Sequence, residues 1–181
     1  MEREIHKYRI PSARLKGYDY SSPNWYFVTI NTKHHQEYFG EIKNSEMHLN
    51  VLGKIAEEEW IKTSEVRKNV ELDYYVVMPN HFHGILIITE SLRRDVARNV
   101  STNKKYSDIS PVSGSLSTII RGFKSAVTNQ IHKHGDNHFS WQPRFYDRII
   151  RNERELNAIR TYIKLNPLRW ELDYDKETLD L

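Results

Sequence analysis

Residues 70–88 read Val70-Glu71-Leu72-Asp73-Tyr74-Tyr75-Val76-Val77-Met78-Pro79-Asn80-His81-Phe82-His83-Gly84-Ile85-Leu86-Ile87-Ile88. Val70–Met78 and His81–Ile88 are each rich in β-branched and aromatic residues, so both read as strands, and Pro79-Asn80 breaks one from the other. Outward toward the N-terminus, Trp25–Thr32 (WYFVTINT) is a further strand, and Phe39–Leu49 is a hairpin turning at Lys43-Asn44-Ser45. Asn50 can cap a helix to about Thr63 with Val51, Ile55 and Trp60 on its apolar side. Outward toward the C-terminus, Ser115–His132 repeats Leu116, Ile119, Ile120, Phe123, Val127 and Ile131 at helical spacing. Phe145–Arg151 reads as the last strand. Asn152, with Glu155 three residues on, opens a final helix that Pro167 stops at about Asn166. This order predicts an α+β domain, a mostly antiparallel sheet covered by helices.

A chain of 181 residues with 38% hydrophobic content is long enough for one domain with a core and short for two. We expect a basic, Tyr-rich N-terminal arm over 1–22, one catalytic domain over 23–170 and a tail over 171–181. Thr89–Pro111 shows no periodicity and high polarity, so a mobile loop is expected at about 89–113. No apolar run approaches the roughly 18–20 residues a membrane span needs, and MEREIHKYRI carries no apolar signal region, so a cytoplasmic protein with no membrane partner is expected. The absence of cysteine excludes a disulfide scaffold, Cys-ligated zinc and a thiol nucleophile. Net charge is only +3, but Arg93, Arg94, Arg98, Lys104 and Lys105 form one basic cluster and Arg144, Arg148, Arg151 and Arg154 another. Cations beside aromatic side chains can follow a phosphate backbone, and equally can be a solvated surface.

Side chains alternate along a strand, so His81 and His83 project from one face, about 6.5–7 Å apart along the chain. At that spacing two imidazoles can share one metal ion, or can be hydrogen-bonded fillers. Other pairs lack this convergence: His132 and His134 diverge at a helix end, and His34 and His35 would point to opposite faces of an extended chain. On the last helix Tyr162 and Asn166 are four apart and lie one above the other, beside the face marked by Leu156, Ile159 and Ile163. An amide oxygen there could be a third ligand for a hard cation, with a phenol within reach of a bound substrate. The same two residues can also be a core tyrosine and a helix cap.

Met78-Pro79-Asn80-His81-Phe82-His83-Gly84-Ile85-Leu86-Ile87 resembles the histidine motif of single-tyrosine HUH transposases. Trp141-Gln142-Pro143-Arg144-Phe145-Tyr146-Asp147-Arg148-Ile149-Ile150-Arg151-Asn152-Glu153, followed by Tyr162-Ile163-Lys164-Leu165-Asn166-Pro167, resembles the C-terminal block of the REP-associated tyrosine transposase branch. Gly17-Tyr18-Asp19-Tyr20 before Tyr26-Phe27-Val28-Thr29-Ile30, and Arg121-Gly122-Phe123-Lys124-Ser125-Ala126-Val127-Thr128, are similar to that branch too. The resemblance spans nearly the whole chain. It departs from the smaller insertion-sequence enzymes in carrying Asn166 where they usually have glutamine, which keeps an amide oxygen but shortens its reach.

The resemblance implies a ferredoxin-like or RRM-like antiparallel sheet of about five strands covered by helices. It implies a metal-dependent endonuclease and strand transferase acting on single-stranded DNA, with Tyr162 as nucleophile forming a 5′-phosphotyrosine link. It makes His81, His83 and Asn166 the ligands of Mg²⁺ or Mn²⁺, the imidazoles favouring Mn²⁺. It implies recognition of a DNA hairpin, for which Arg9, Arg14, Lys16, Arg93, Arg94, Arg98, Lys104, Lys105, Arg144 and Arg148 are the candidate contacts, by a monomer or homodimer. Two rivals stand beside it. One is a catalytically silent DNA-binding module on the same fold; the other is a histidine-triad nucleotide hydrolase, whose pattern needs a third histidine where this chain has Ile85.

Overall fold

The computed structural model describes residues 14–90 and 112–179. The expected loop at about 89–113 therefore lies almost wholly outside the described residues, as do Met1–Ala13 of the expected arm. Strand β1 (Asn24–Asn31) leads through a 3₁₀ turn (Lys33–His35) into the hairpin β2 (Gly40–Lys43) and β3 (Glu46–Leu49). Helix α1 (Val51–Glu65), β4 (Val70–Met78) and β5 (His81–Ile88) follow. After the undescribed stretch come α2 (Leu116–Lys133), β6 (Tyr146–Ile150), α3 (Glu153–Lys164) and α4 (Asn166–Leu179).

The main sheet has the order β4-β5-β1-β6, with every neighbouring pair antiparallel. Taking the hairpin as an insertion after β1, this is the β-α-β-β-α-β arrangement of ferredoxin-like domains. The sheet has four strands rather than about five, because β2 and β3 pair only with each other. Among the described residues no helix is long and apolar enough to cross a membrane.

Two layers cover the sheet. On one face α1 and α2 bury Tyr26, Val28, Ile30, Phe82 and Leu86 beneath Trp60, Ile120, Phe123 and Val127. Trp60 is the keystone, its ring centroid 4.6 Å from Phe82 and 5.2 Å from Phe123. All six residues expected along α2 are buried. In α1 the expectation fails at Val51, which is 53% exposed. The buried residues are Gly53, Ala56, Trp60 and Thr63. Gly53 packs so closely on the Phe39 carbonyl that a Cβ would stand 2.2 Å from it, and Val51, two residues earlier, lies on the solvent side.

On the opposite face α3 covers a smaller cluster of Phe27, Ile85, Ile150, Leu156 and Ile163, with Trp25, Val76, Ile159 and Tyr162 around it. Asn152 caps α3 as expected, its Oδ1 accepting from the Glu155 amide at 2.9 Å. Glu155 reaches back to the Arg151 amide (3.0 Å) rather than to the cap residue itself. In β4 the register shifts between Leu72 and Tyr75. The bulge keeps Val70 and Leu72 before it, and Tyr75 and Val77 after it, in the same core cluster. It also turns Asp73 toward α3, where the Arg160 guanidinium holds both carboxylate oxygens, Nε to Oδ1 at 3.0 Å and Nη2 to Oδ2.

Two terminal expectations change. Residues 14–22 are docked, not a free arm: Tyr18 and Tyr20 pack on the main core, and the Tyr26 hydroxyl donates to the Ser22 carbonyl at 2.8 Å. Pro167 does not end helical structure. Helix α3 stops at Lys164, Leu165 makes the corner, and Pro167 lies in the first turn of α4, where a missing N–H costs nothing. The expected tail is thus helical as far as Leu179, and Ser45 Oγ donates to Glu171 Oε2 (2.7 Å), joining α4 to the hairpin.

Candidate active site

Phe82 faces Trp60, so strand alternation sends its neighbours His81 and His83 to the opposite side, toward α3. Their rings meet edge to face at 4.6 Å, with Nε2 of one 3.1 Å from Nε2 of the other. Tyr162, from the middle of α3, brings its hydroxyl to 3.3 Å from His83 Nε2. Its ring stands perpendicular to Phe27 at 6.1 Å. Asn166, 7% exposed at the start of α4, brings its side-chain amide close enough to His81 to bear on its titration. The four side chains expected to meet therefore do meet. Asn166 arrives from the helix after Tyr162 and not from the next turn of the same one.

Each imidazole is held from behind. His81 Nδ1 lies 2.7 Å from Asn80 Oδ1, and His83 Nδ1 lies 2.8 Å from Thr29 Oγ1. Phe27 stacks on His83 at 5.4 Å, and Trp170 lies against His81 at 5.7 Å. Burial pushes His81 down to about 4, with the Asn166 hydrogen bond opposing and His35 adding to the fall. Burial likewise pushes His83 down to about 3, and neighbouring His81 lowers it further. Both rings are neutral at physiological pH, the form in which imidazole ligates a metal.

This donor set fits a divalent cation. With partners on both Nδ1 atoms, the two Nε2 atoms face a common position. Ligands about 2.1 Å from one ion and at right angles to each other stand about 3 Å apart. Among the described residues no group of three or more His, Cys, Asp or Glu side chains could hold a metal, so the amide of Asn166 and oxygens of a substrate are what would complete the shell. His132 donates to the Phe139 carbonyl at 3.0 Å, and His35 pairs with Gln142 at 2.9 Å.

The structure places some of the candidate DNA contacts and not others. Arg9, Arg93, Arg94, Arg98, Lys104 and Lys105 lie outside the described residues. Arg14 is committed internally: it pairs with Asp147 at 3.2 Å and lies over the rings of Tyr20 and Phe145. Lys16 and Arg144 are exposed. Arg148, also exposed, pairs with Glu155 and stands opposite Phe27 in the sheet register. One row across the sheet reads His83, Thr29, Tyr146. Tyr146, 49% exposed on edge strand β6, opens that row to solvent.

Thr29, Asn80, Phe27, Trp170 and Arg169, whose guanidinium lies 5.5 Å over the Tyr162 ring, are site neighbours that the sequence reading did not single out. Asn80 stood next to His81 but read as a strand break. Thr29 shares the parity of Phe27 on β1, a signal that becomes useful only once β1 is known to pair with β5.

No protein-family model matches the chain. A protein of Haemophilus influenzae strain Rd, known as "Uncharacterized protein", is 36% identical over 162 residues, 90% of either chain. The solved structure of a REP-associated tyrosine transposase bound to a REP hairpin superposes with a TM-score of 0.56 at 21% identity, covering 88% of this chain and 74% of its own. A Deinococcus radiodurans R1 structure aligns at 15% identity over 84% of this chain and 96% of its own, with a TM-score of 0.39.

Proposed function

We propose that this chain, which belongs to one family with the Haemophilus influenzae protein and shares the fold of a REP-associated tyrosine transposase, is a metal-dependent endonuclease and strand transferase for single-stranded DNA. The observation that carries the reading is the meeting of a helix-borne phenol with two strand-borne imidazoles, Tyr162 Oη 3.3 Å from His83 Nε2 and the imidazoles 3.1 Å apart. All these groups come from one chain.

In this reading Tyr162 Oη attacks a backbone phosphorus. The bond to the 3′ oxygen of the preceding nucleotide breaks, and the phenolic proton ends, by way of solvent, on that departing oxygen. The products are a 5′-phosphotyrosine and a free 3′-hydroxyl, and attack by a 3′-hydroxyl on the link rejoins strands. Exchange of one phosphodiester for another needs no external energy, which is the advantage of a covalent nucleophile here. Mg²⁺ or Mn²⁺ on His81, His83 and Asn166 would polarise the phosphate and offset its developing charge. The protein's share is placement. Phe27 and the hydrogen bond to His83 hold the phenol on the sheet, and the partners on Nδ1 keep the imidazoles turned toward the phosphate position.

A strand entering over β6 would pass Tyr146, Arg148 and Arg144 before reaching His83, an aromatic face and cations of the kind that hold single strands. The hairpin in the related transposase structure supports a hairpin beside the cleavage site as the partner.

The decisive experiment incubates the protein with Mn²⁺ and an oligonucleotide carrying a hairpin and a single-stranded flank, then looks for a denaturation-resistant protein–DNA adduct. Wild type is expected to form it, and Tyr162→Phe to lose it while keeping hairpin affinity within about threefold. An adduct undiminished in Tyr162→Phe would remove Tyr162 as nucleophile. Binding without any adduct would leave a catalytically silent DNA-binding module.

A further inference from the structure

His34 and His35 both have positive φ, 57° and 54°, a left-handed conformation that side-chain-bearing residues adopt rarely and at a cost. The turn they form delivers the His35 carbonyl to Asn80, whose Nδ2 donates to it at 3.1 Å. A carbonyl oxygen only accepts, so the amide nitrogen of Asn80 must face His35 and its oxygen must face the other way. That oxygen lies 2.7 Å from His81 Nδ1. An amide oxygen also only accepts, so Nδ1 carries the proton of the neutral ring and the lone pair is left on Nε2, the atom that faces His83.

The main chain of Asn80 is pinned as well. Its carbonyl accepts from the amide of fully buried Thr32 at 2.9 Å, and the Thr32 hydroxyl, at the same distance, is shared with the Gln36 carbonyl. His83 has no comparable constraint. On its Nδ1 side the Thr29 hydroxyl can donate or accept, so the His83 proton can sit on Nε2, donated to the His81 Nε2 lone pair 3.1 Å away, or move to Nδ1 when a cation takes the shared position.

We propose that Asn80 is a positioning residue that sets the tautomer of His81, and that the left-handed His34–His35 turn exists to aim it. His81 is thereby a fixed ligand with its Nε2 lone pair turned to the shared position, and His83 an adaptable one. This rests on the reading of His81 as a metal ligand, although its effect on the ring can be observed without metal.

The test uses the full chain and has two readouts. Mn²⁺ affinity is measured by electron paramagnetic resonance, and the His81 tautomer of metal-free protein by ¹⁵N shifts of the ring nitrogens. Wild type is expected to show His81 protonated on Nδ1. Asn80→Ala should bind Mn²⁺ about 10–100-fold more weakly, as for other lost partners of ligating histidines, and should show a mixture of tautomers. Asn80→Asp keeps an acceptor of the same size for Nδ1–H but loses the amide donor to the His35 carbonyl, so it should recover the Nδ1–H form and part of the affinity. Recovery by Asp separates orientation of the ring from a general loss of fold. Unchanged affinity and tautomer in Asn80→Ala would overturn the inference. If wild type binds no Mn²⁺, the ligand reading falls, while the tautomer comparison still decides what Asn80 does.

Discussion

Gly84 stands between His83 and Ile85 on β5, with its open side against Trp60. A Cβ there would lie 2.6 Å from Trp60 Cζ2 and 2.8 Å from Phe82 Cε1, both fully buried rings with nowhere to move. The site and the core are thus one residue apart on the same strand, the histidines on one face and a gap for Trp60 on the other. Gly84→Ala is expected to destabilise the fold by about 1–3 kcal/mol, the usual cost of overpacking. Urea unfolding checks this, and an unchanged free energy would mean that Trp60 does not set the depth of β5. Amide spectra of the same variant would report displacement at His83, since the strand must shift away from α1 to admit the methyl group.

At the scale of elements, the question is what fixes α3, and with it Tyr162, over the sheet. The apolar cluster beneath α3 is small, and the Arg160–Asp73 pair adds a charged anchor. The Asp73 carboxylate is 10% exposed, and the Arg160 hydrogen bond holds its pKa below the ordinary carboxylate value, outweighing the effect of burial. Arg160→Ala removes the charged partner of that carboxylate and leaves it the Tyr74 amide at 2.6 Å, so a loss of about 1–3 kcal/mol is expected. Faster hydrogen exchange along Glu153–Lys164, with α1 and α2 unaffected, is the measurement that locates the loss. Exchange unchanged in α3 would show that the apolar contacts alone hold it. The bulge in β4 belongs to this anchor, because it puts Asp73 within reach of α3 without disturbing the packing of Val70, Leu72 and Val77.

For the whole molecule, the buried imidazoles couple stability to pH. His81 and His83 have folded values of about 4 and about 3, below the ordinary 6.5. Between those values and about 6.5 the unfolded chain binds protons that the folded chain does not, so stability falls as pH drops through that window. Asp73 and Glu155, both held below their usual values by hydrogen bonds, lose their contribution at still lower pH, so the effects add. With chelator present, Tm should fall steadily from pH 7 to pH 4. In His81→Gln/His83→Gln the fall over that interval should be largely removed. A double variant as acid-sensitive as wild type would locate the proton uptake elsewhere. The net charge of +3 supplies little long-range attraction for DNA, so salt dependence of binding would report local cations such as Arg144 rather than the charge of the whole protein.

Local pattern was enough for the elements and for the chemistry of single faces. Strand alternation set His81 and His83 on one side, the helical repeat marked all six buried residues of α2, and Asn152 capped α3, because each depends only on neighbours in the chain. Val51, the continuation of the helix past Pro167 and the pairing of the expected β2–β3 hairpin apart from the main sheet went otherwise. Those outcomes depend on which surfaces are covered by residues distant in sequence, and hydrophobic periodicity carries no information about that. The meeting of Tyr162 with His83, the support from Thr29 and Asn80, and the internal use of Arg14 were decided only by tertiary structure. A backbone can show what a side chain could reach, but only the packing of sheet and helices determines what stands there to be reached.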